Sequence, residues 1–273
     1  MYWIYDIPVW SFGLICISFF TVLGIGGYFL MHKWIYRRYR ISTDSDTLVS
    51  GFFNGIGVLF GLLVGLVAIA SWENYGSADQ TASNEAAEIA ILYRDVSVLE
   101  QPIKAKLQEY VKDYARTIIN VEWPSQQKGN VDVSGIMILT DFHGLLATYK
   151  AKTPEQQIFM AQAVAKFDDL ITALRARQDA TKVGIPAPFW IAMISGSFIS
   201  IFLSYFFHCQ TPKTHVFLIG LYSAFLGVII WLVASVDNPF RGEMSISSYT
   251  YENVLKHLDE RDPEFMTKKK LAK

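Results

Sequence analysis

One apolar segment, Gly51 to Tyr75, carries the residues whose types and spacing could form a functional site. Steps of three and four residues place several small or polar side chains on one side of a helix. We name this set the glycine stripe, and it consists of Asn54, Gly57, Gly61, Gly65, Ala68 and Trp72. Because glycine has no side-chain bulk, the stripe allows another helix, or a permeating species, to approach the backbone closely. Asn54 adds a polar amide at bilayer depth.

The sequence allows two interpretations of the glycine stripe. It packs tightly against another helix of the same subunit, or copies of the helix from several subunits gather around an axis and leave a path lined by the stripe. In the second case ion selectivity comes from helix dipoles, amides and scattered basic groups, because the stripe has no charged residue. Beyond the apolar run, Trp72 and Tyr75 flank Glu73. That arrangement is typical either of an interfacial aromatic belt or of the mouth of a conduit.

Side chains typical of catalysis or metal binding are scattered along the chain. Histidines stand at positions 32, 143, 208, 215 and 257 without HExxH spacing, and neither GxSxG nor a phosphate-binding loop occurs. His143 lies two residues after Asp141, and residues so spaced on a helix do not face each other. Cys16 and Cys209 lack CxxC spacing, and we expect both to pack as small hydrophobes. We therefore expect no enzyme, no metal site and no cofactor.

The composition predicts an integral membrane protein. Among 273 residues, 52% are hydrophobic and only 18% are charged, and the net charge of −1 argues against a nucleic-acid partner. A helix needs about 20 residues to cross the hydrocarbon core. Four segments are long enough, and they run from Val9 to Met31, Gly51 to Ser71, Phe189 to Phe207 and Val216 to Val236.

The basic residues around the first span predict its orientation. None precedes the span, and the loop 32–50 that follows contains Lys33, Arg37, Arg38 and Arg40. Basic loops stay in the cytoplasm, so both termini and the region between the second and third spans are expected outside. Arg175, Arg177 and Lys182, before the third span, favour the opposite orientation.

The polar region between the second and third spans predicts a helical domain. We expect the second span to continue into it as one long helix. A second helix has an apolar stripe of Ile103, Leu107, Tyr110, Tyr114, Ile118 and Val121. A third opens with a capping box, Thr153 and Gln156, and continues with Phe159, Ala163, Phe167, Leu170 and Leu174. A shorter helix is expected between them, within 133–151.

The chain is thus expected to be all-α, with four parts. Residues 1–71 form an N-terminal membrane half, 72–188 a helical extramembrane domain, 189–236 a C-terminal membrane half and 237–273 an extramembrane tail that ends in a solvated basic segment. After the fourth span Pro239 stops the helix, and Asp237 is expected either to pair with Arg241 or a backbone amide, or to bind a ligand. The candidates for a pore mouth or for a structural role are Glu73, Glu85, Asp237, Pro239 and Phe240.

Six stretches of the chain carry a resemblance to a known family. They are RRYR, GFFNGIGVLFGLLVGLVAIASWENY, NEAAEIAILYRDV with Glu85, YVKDYARTIINVEWP, GIPAPFW and VDNPFRG. Through them the chain resembles, over nearly its whole length, the bacterial bestrophin-like membrane family, which is distantly similar to bestrophin anion channels. The resemblance implies four spans, a helical extramembrane region, and a homopentamer in the bacterial inner membrane whose second spans line a central anion path.

Two departures from bestrophins limit what the resemblance implies. Bestrophins follow their Pro-Phe-Gly turn with a dense acidic run that holds calcium, whereas this chain inserts Arg241 and has only the scattered Glu243 and Glu252. Calcium gating is therefore not expected. The helical region of bestrophins is also cytoplasmic, while the basic residues here place it outside, on the periplasmic side.

Two functions follow from these observations. The first is a homo-oligomeric channel for small inorganic anions, with the glycine stripe lining its path. The second is a non-conducting membrane scaffold or envelope sensor whose helical domain binds a partner.

Overall fold

The computed structural model describes residues 3–39, 43–208 and 211–260. Arg40 of the basic loop, Cys209 and the expected solvated tail beyond residue 260 lie outside the described residues. The fold is all-α. Its helices are α1 (Val9–Tyr39), α2 (Thr43–Asp95), α3 (Ile103–Thr117), α4 (Trp123–Gln127), α5 (Ser134–Thr148), α6 (Pro154–Ala180), α7 (Ala187–Ser204), α8 (Pro212–Val236) and α9 (Tyr249–Glu260).

The four expected membrane spans are confirmed. Helices α1, α2, α7 and α8 are each long and apolar enough to cross a bilayer. The third span ends at Ser204 rather than at Phe207. The N–H groups of Tyr205 and Phe206 donate to carbonyls only three residues back, and this tightening of the last turn ends α7.

The long continuation of the second span is also confirmed, because α2 runs without interruption for 53 residues. Two compact units share this helix. The membrane unit comprises the described residues within Met1–Tyr75, Gly184–Asn238 and Gly242–Met244. The extramembrane unit comprises those within Gly76–Val183, Pro239–Arg241 and Ser245–Lys273. The residues after α8 thus belong partly to one unit and partly to the other.

In the membrane unit, α1 and α8 pack against each other in antiparallel directions. Glycines bring their backbones together: a Cβ added to Gly227 would lie 2.8 Å from Cα of Ile17 and 2.9 Å from the carbonyl oxygen of Cys16. Cys16 is buried at this contact, as expected for a small hydrophobe. The surrounding core also receives one face of α2 through Phe60, Val64 and Val67.

The apolar stripes expected in the extramembrane unit are largely confirmed. In α3, Leu107 and Tyr114 are buried, and in α6 the buried residues are Ala163, Phe167, Leu170 and Leu174. The cap of α6 is as expected, because the Thr153 hydroxyl oxygen accepts from the Gln156 N–H at 3.2 Å. The Gln156 side chain accepts from the N–H of Lys152 and not from that of Thr153.

The prediction was wrong at the end of the first stripe. Val121 is 44% exposed, whereas the neighbouring Glu122 is fully buried. A π-helical turn, Ile118–Glu122, joins α3 to α4. Because a π turn takes more residues than an α turn, it moves Glu122 into the position that an uninterrupted α-helix would give to Val121.

The close contact of α1 and α8 predicts that replacing Gly227 with Ala destabilises the chain far more than the same change at Gly26. Replacing Gly227 with Ala forces the two backbones apart, and we expect a loss of about 1–3 kcal/mol, the usual cost of overpacking. Gly26→Ala on α1 is the matched control, because in the described part of the chain no atom lies within 4 Å of the added methyl group. Thermal unfolding of the detergent-solubilised chain measures both. Equal melting temperatures for the two variants would contradict the tight contact.

Candidate functional site

The glycine stripe lies on a side of α2 that the described residues of the chain leave largely uncovered. The buried face of α2 is formed by Phe60, Val64, Val67 and Ser71. At 3.6 residues per turn, the stripe lies roughly a quarter of a turn around the helix from that face. A third side, with Leu62, Leu66 and Ile69, is also exposed within the chain. The fold thus uses only one of the three sides of this helix.

Space beside the glycines is empty within the described chain. A Cβ added to Gly57, Gly61 or Gly65 would meet no atom within 4 Å. Gly61 and Gly65 are exposed, and Gly57 and Ala68 are half-buried. Among the described residues, no packing contact within the subunit accounts for these glycines.

The polar and aromatic ends of the stripe are open as well. Asn54 is exposed, and no group of the described chain hydrogen-bonds to its amide. Trp72 is 66% exposed and stacks on Tyr75, with ring centroids 6.0 Å apart, while Glu73 beside it is exposed. This aromatic pair fits an interfacial belt and a conduit mouth equally well.

Asp237 lies in a small hydrogen-bonded cluster at the end of α8. Its carboxylate accepts from the N–H of Ile185 and, at 3.3 Å, from the hydroxyl of Tyr5. Burial raises the pKa of Asp237, and these hydrogen bonds oppose that rise. Of the partners expected for this carboxylate, the backbone amide is the one observed. Arg241 instead donates to the carbonyl of Lys128.

The other candidates after α8 make internal contacts. Pro239 accepts from the N–H of Ile246 at 2.8 Å, and Phe240 is buried against the Trp123 ring, with centroids 5.4 Å apart. The two glutamates are also engaged. Glu243 accepts from the N–H of Val9 at 3.0 Å, and Glu252 accepts from the Ser248 hydroxyl at 2.6 Å. Within residues 3–39, 43–208 and 211–260, no group of three His, Cys, Asp or Glu side chains could hold a metal ion.

A buried ionic cluster fills the centre of the extramembrane unit. Arg177 of α6 donates through Nε to Glu85 of α2 at 2.5 Å and through Nη2 to Glu122 at 2.5 Å, and all three side chains have zero solvent exposure. The hydroxyls of Tyr114 and Tyr251 also donate to Glu85. Glu122 accepts in addition from the N–H of Gly135 at 2.8 Å. One guanidinium thus pairs with two carboxylates that would otherwise be buried without any counter-charge.

Burial and neighbouring charges shift the pKa values of Arg177, Tyr114 and Tyr251 in this cluster. Burial lowers the pKa of Arg177, but attraction to Glu85, Tyr251 and Tyr114 and the hydrogen bond to Glu85 together outweigh burial, so that the pKa of Arg177 lies well above its usual range. Burial and the adjacent Glu85 raise the pKa of Tyr114 and of Tyr251 well above the usual value. Both phenols therefore stay protonated and keep donating to Glu85. These contacts fit a structural role for Glu85, and they do not bring it together with the glycine stripe.

Most members of this cluster were not identified from the sequence as site residues. The pattern did contain a clue, because Arg177 continues the apolar stripe of α6 three residues after Leu174. A charged residue at a position that periodicity assigns to the core needs a buried partner. Tyr114 likewise lay in a predicted stripe, and its hydroxyl needed an acceptor.

The four spans, the open stripe on α2 and the separate helical unit define an all-α integral membrane protein. A family model described as the bestrophin-like domain matches residues 18–251. The chain therefore belongs to the bestrophin-like family. No match was found among curated proteins.

Solved structures agree with this fold. The chain is similar to a crystal structure of a variant of a bacterial bestrophin homologue from Klebsiella pneumoniae, with 11% identity, 92% of this chain and 98% of that chain covered, and a TM-score of 0.68. A second variant of that homologue gives 12% identity, coverage of 92% and 97%, and a TM-score of 0.71. A crystal structure described only as that of a membrane protein is 12% identical to this chain, with 89% of this chain and 97% of that chain covered and a TM-score of 0.68. At such identity these matches show the fold alone.

The ionic cluster predicts a large effect of removing its cation. Arg177→Met leaves two carboxylates buried without a counter-charge, and we expect a loss of about 3–5 kcal/mol. Arg175→Met, on the exposed side of the same helix, should leave the melting temperature unchanged. Thermal unfolding of the purified full-length chain measures both variants. Similar losses for the two arginines would exclude a central role for the cluster.

The same cluster predicts a loss of stability at alkaline pH. Folding raises the pKa of Tyr114, so the unfolded chain releases the phenol proton at a lower pH than the folded chain does. The contribution of Tyr114 to folding stability is therefore fully present below pH 10 and is lost as pH rises further. Tyr114→Phe should therefore flatten the fall of melting temperature above pH 10. Tyr249→Phe, at a tyrosine that is 63% exposed, is the control and should keep the wild-type slope. An unchanged slope in Tyr114→Phe would contradict this account.

Proposed function

We propose that the chain forms a homo-oligomeric membrane channel for small inorganic anions, with α2 of each subunit arranged around a central path. The glycine stripe faces that path. Membership of the bestrophin-like family and the four apolar helices support a membrane channel. A pentamer is the subunit number that the resemblance to bestrophins favours.

The observation that carries this proposal is the empty space beside Gly57, Gly61 and Gly65. Glycine weakens a helix, so three of them at one side of a span need a compensating contact or function. Lipid tails do not require small residues, since Leu packs against them equally well. The glycines therefore serve neighbouring copies of α2 or the path between those copies.

Ion selectivity in the proposed path comes from polar groups without formal charge. Asn54 can turn its amide N–H groups toward an anion, and no acidic residue of the stripe repels one. Glu73, next to Trp72, lies at the end of the stripe. We propose that it stands at the rim of the conduit and outside its narrow part.

The basic residues supply the proposed orientation. Lys33, Arg37 and Arg38 are exposed near the end of α1. The positive-inside rule assigns that end to the cytoplasm of a bacterial inner membrane, and it assigns the chain that follows the second span to the periplasmic side.

Two matched glycine variants test the proposed path. We expect Gly61→Leu to remove most of the chloride flux in proteoliposomes, because each subunit adds a bulky side chain at the axis. The fold should persist, since no atom of the described residues lies within 4 Å of the new Cβ. Gly55→Leu is the control, because Gly55 has equally open surroundings but lies on another side of α2. It should retain flux and subunit number.

Three outcomes would contradict the proposal. Equal chloride flux in Gly61→Leu and the wild type would place the glycine stripe away from the path. Loss of flux in Gly55→Leu alone would assign the path to the side of α2 that carries Leu62, Leu66 and Ile69. No chloride flux from a folded wild-type oligomer would favour the non-conducting scaffold or envelope sensor instead.

A further inference from the structure

A groove of about 500 Å³ lies on the membrane unit beside the contact between α1 and α8. This volume falls within the range of roughly 300–1,000 Å³ that is usual for small-molecule sites. Its apolar lining consists of Ile25, Val216, Phe217, Gly220, Leu221 and Ala224. Among the described residues that line the groove, Lys213 is the one with a charge, and it is exposed. The groove therefore combines an apolar surface with one cation.

The antiparallel pairing of the two helices locates the cation relative to the bilayer. Gly227 of α8 faces Ile17 of α1, and His215 lies against Tyr28 with ring centroids 4.9 Å apart. Continuing this pairing, the first turn of α8 lies at the end of α1 that carries the exposed Lys33 and Arg37. Lys213 is thus at the bilayer surface next to the basic loop, and the apolar lining extends from it into the hydrocarbon region.

The start of α8 adds a second feature that favours an anion. The first N–H groups of a helix have no carbonyl partner from a preceding turn, and they carry the positive end of the helix dipole. The Thr211 side chain does not cap them, because its hydroxyl donates to that of Thr214 at 2.8 Å. Lys213 stands in this first turn, where the dipole repels a cation. An anion beside Lys213 and these N–H groups would relieve that repulsion and bind to both.

We propose that this groove binds an anionic phospholipid, with an acyl chain along the apolar lining and the headgroup phosphate at Lys213 and the first turn of α8. The lining is apolar along membrane-spanning segments, where an acyl chain is available, and the charge at its mouth is complementary to a lipid phosphate. Binding at this groove is independent of whether the protein conducts ions.

Native mass spectrometry of the full-length chain in detergent tests the proposal. Titration with phosphatidylglycerol and with phosphatidylcholine of the same acyl chains should show preferential binding of phosphatidylglycerol. Lys213→Ala should weaken phosphatidylglycerol binding about fivefold, the usual contribution of one basic residue at an anionic surface. Lys213→Ala should weaken phosphatidylcholine binding less, because the choline ammonium offsets the attraction between Lys213 and the phosphate. Lys33→Ala is the control, because it also removes one positive charge near the first turn of α8 but lies on α1, outside the groove. It should leave the affinities for phosphatidylglycerol and phosphatidylcholine unchanged.

A second variant, Ala224→Leu, tests the acyl part of the site. It fills the groove and should weaken the binding of both lipids, with the melting temperature showing that the chain is folded. Equal effects of Lys33→Ala and Lys213→Ala would overturn the proposal in favour of general surface attraction. A changed subunit number in Ala224→Leu, with lipid binding intact, would assign the groove to an interface between copies of the chain. Equal binding of the two lipids by the wild type would also overturn it.

Discussion

Membrane helices gain no hydrophobic free energy by leaving lipid for another helix, so their association depends on how closely the backbones can approach. The α1–α8 pair meets this constraint within the chain, where Gly227 leaves no room for a side chain against α1. On α2 the same residue type occurs, but among the described residues nothing lies within 4 Å of a Cβ added to Gly57, Gly61 or Gly65. Within one membrane unit, glycine thus lies at a close helix contact on α8 and beside open space on α2.

The extramembrane unit contains a different kind of interaction, a buried ionic cluster. Arg177 lies between Glu85 and Glu122, and phenol and backbone donors satisfy the remaining carboxylate oxygens. Such a cluster costs desolvation, and each carboxylate is paired with Arg177 only when α2, α6 and the turn after α3 pack as they do here. Glu85, which the sequence offered as a candidate at a pore mouth or as a structural residue, fits the second role. One helix thus leaves glycines uncovered by the described chain at one end and packs internally through Glu85 at the other.

Periodicity in the sequence was sufficient to predict the spans, the 53-residue α2 and the core of α6, because each rests on local patterns of apolar residues. It failed at Val121 and Glu122, because a π turn changes the register without a recognisable sequence signature. It also could not pair Arg177 with carboxylates 92 and 55 residues away in the chain. For α2, the stripe was visible in the sequence, but the side that the chain itself covers depends on Phe60, Val64 and Val67 meeting the other helices. That contact is tertiary, and no local pattern contains it.

A reconstruction of the purified assembly in lipid would test the central claim most directly. The quantity to measure is the position of Gly57 and Gly61 relative to the symmetry axis. Our account predicts identical subunits around one axis, with both glycines turned toward it and no segment of their own chain against them. Glycines turned toward lipid, or covered by another helix of the same protomer, would contradict it.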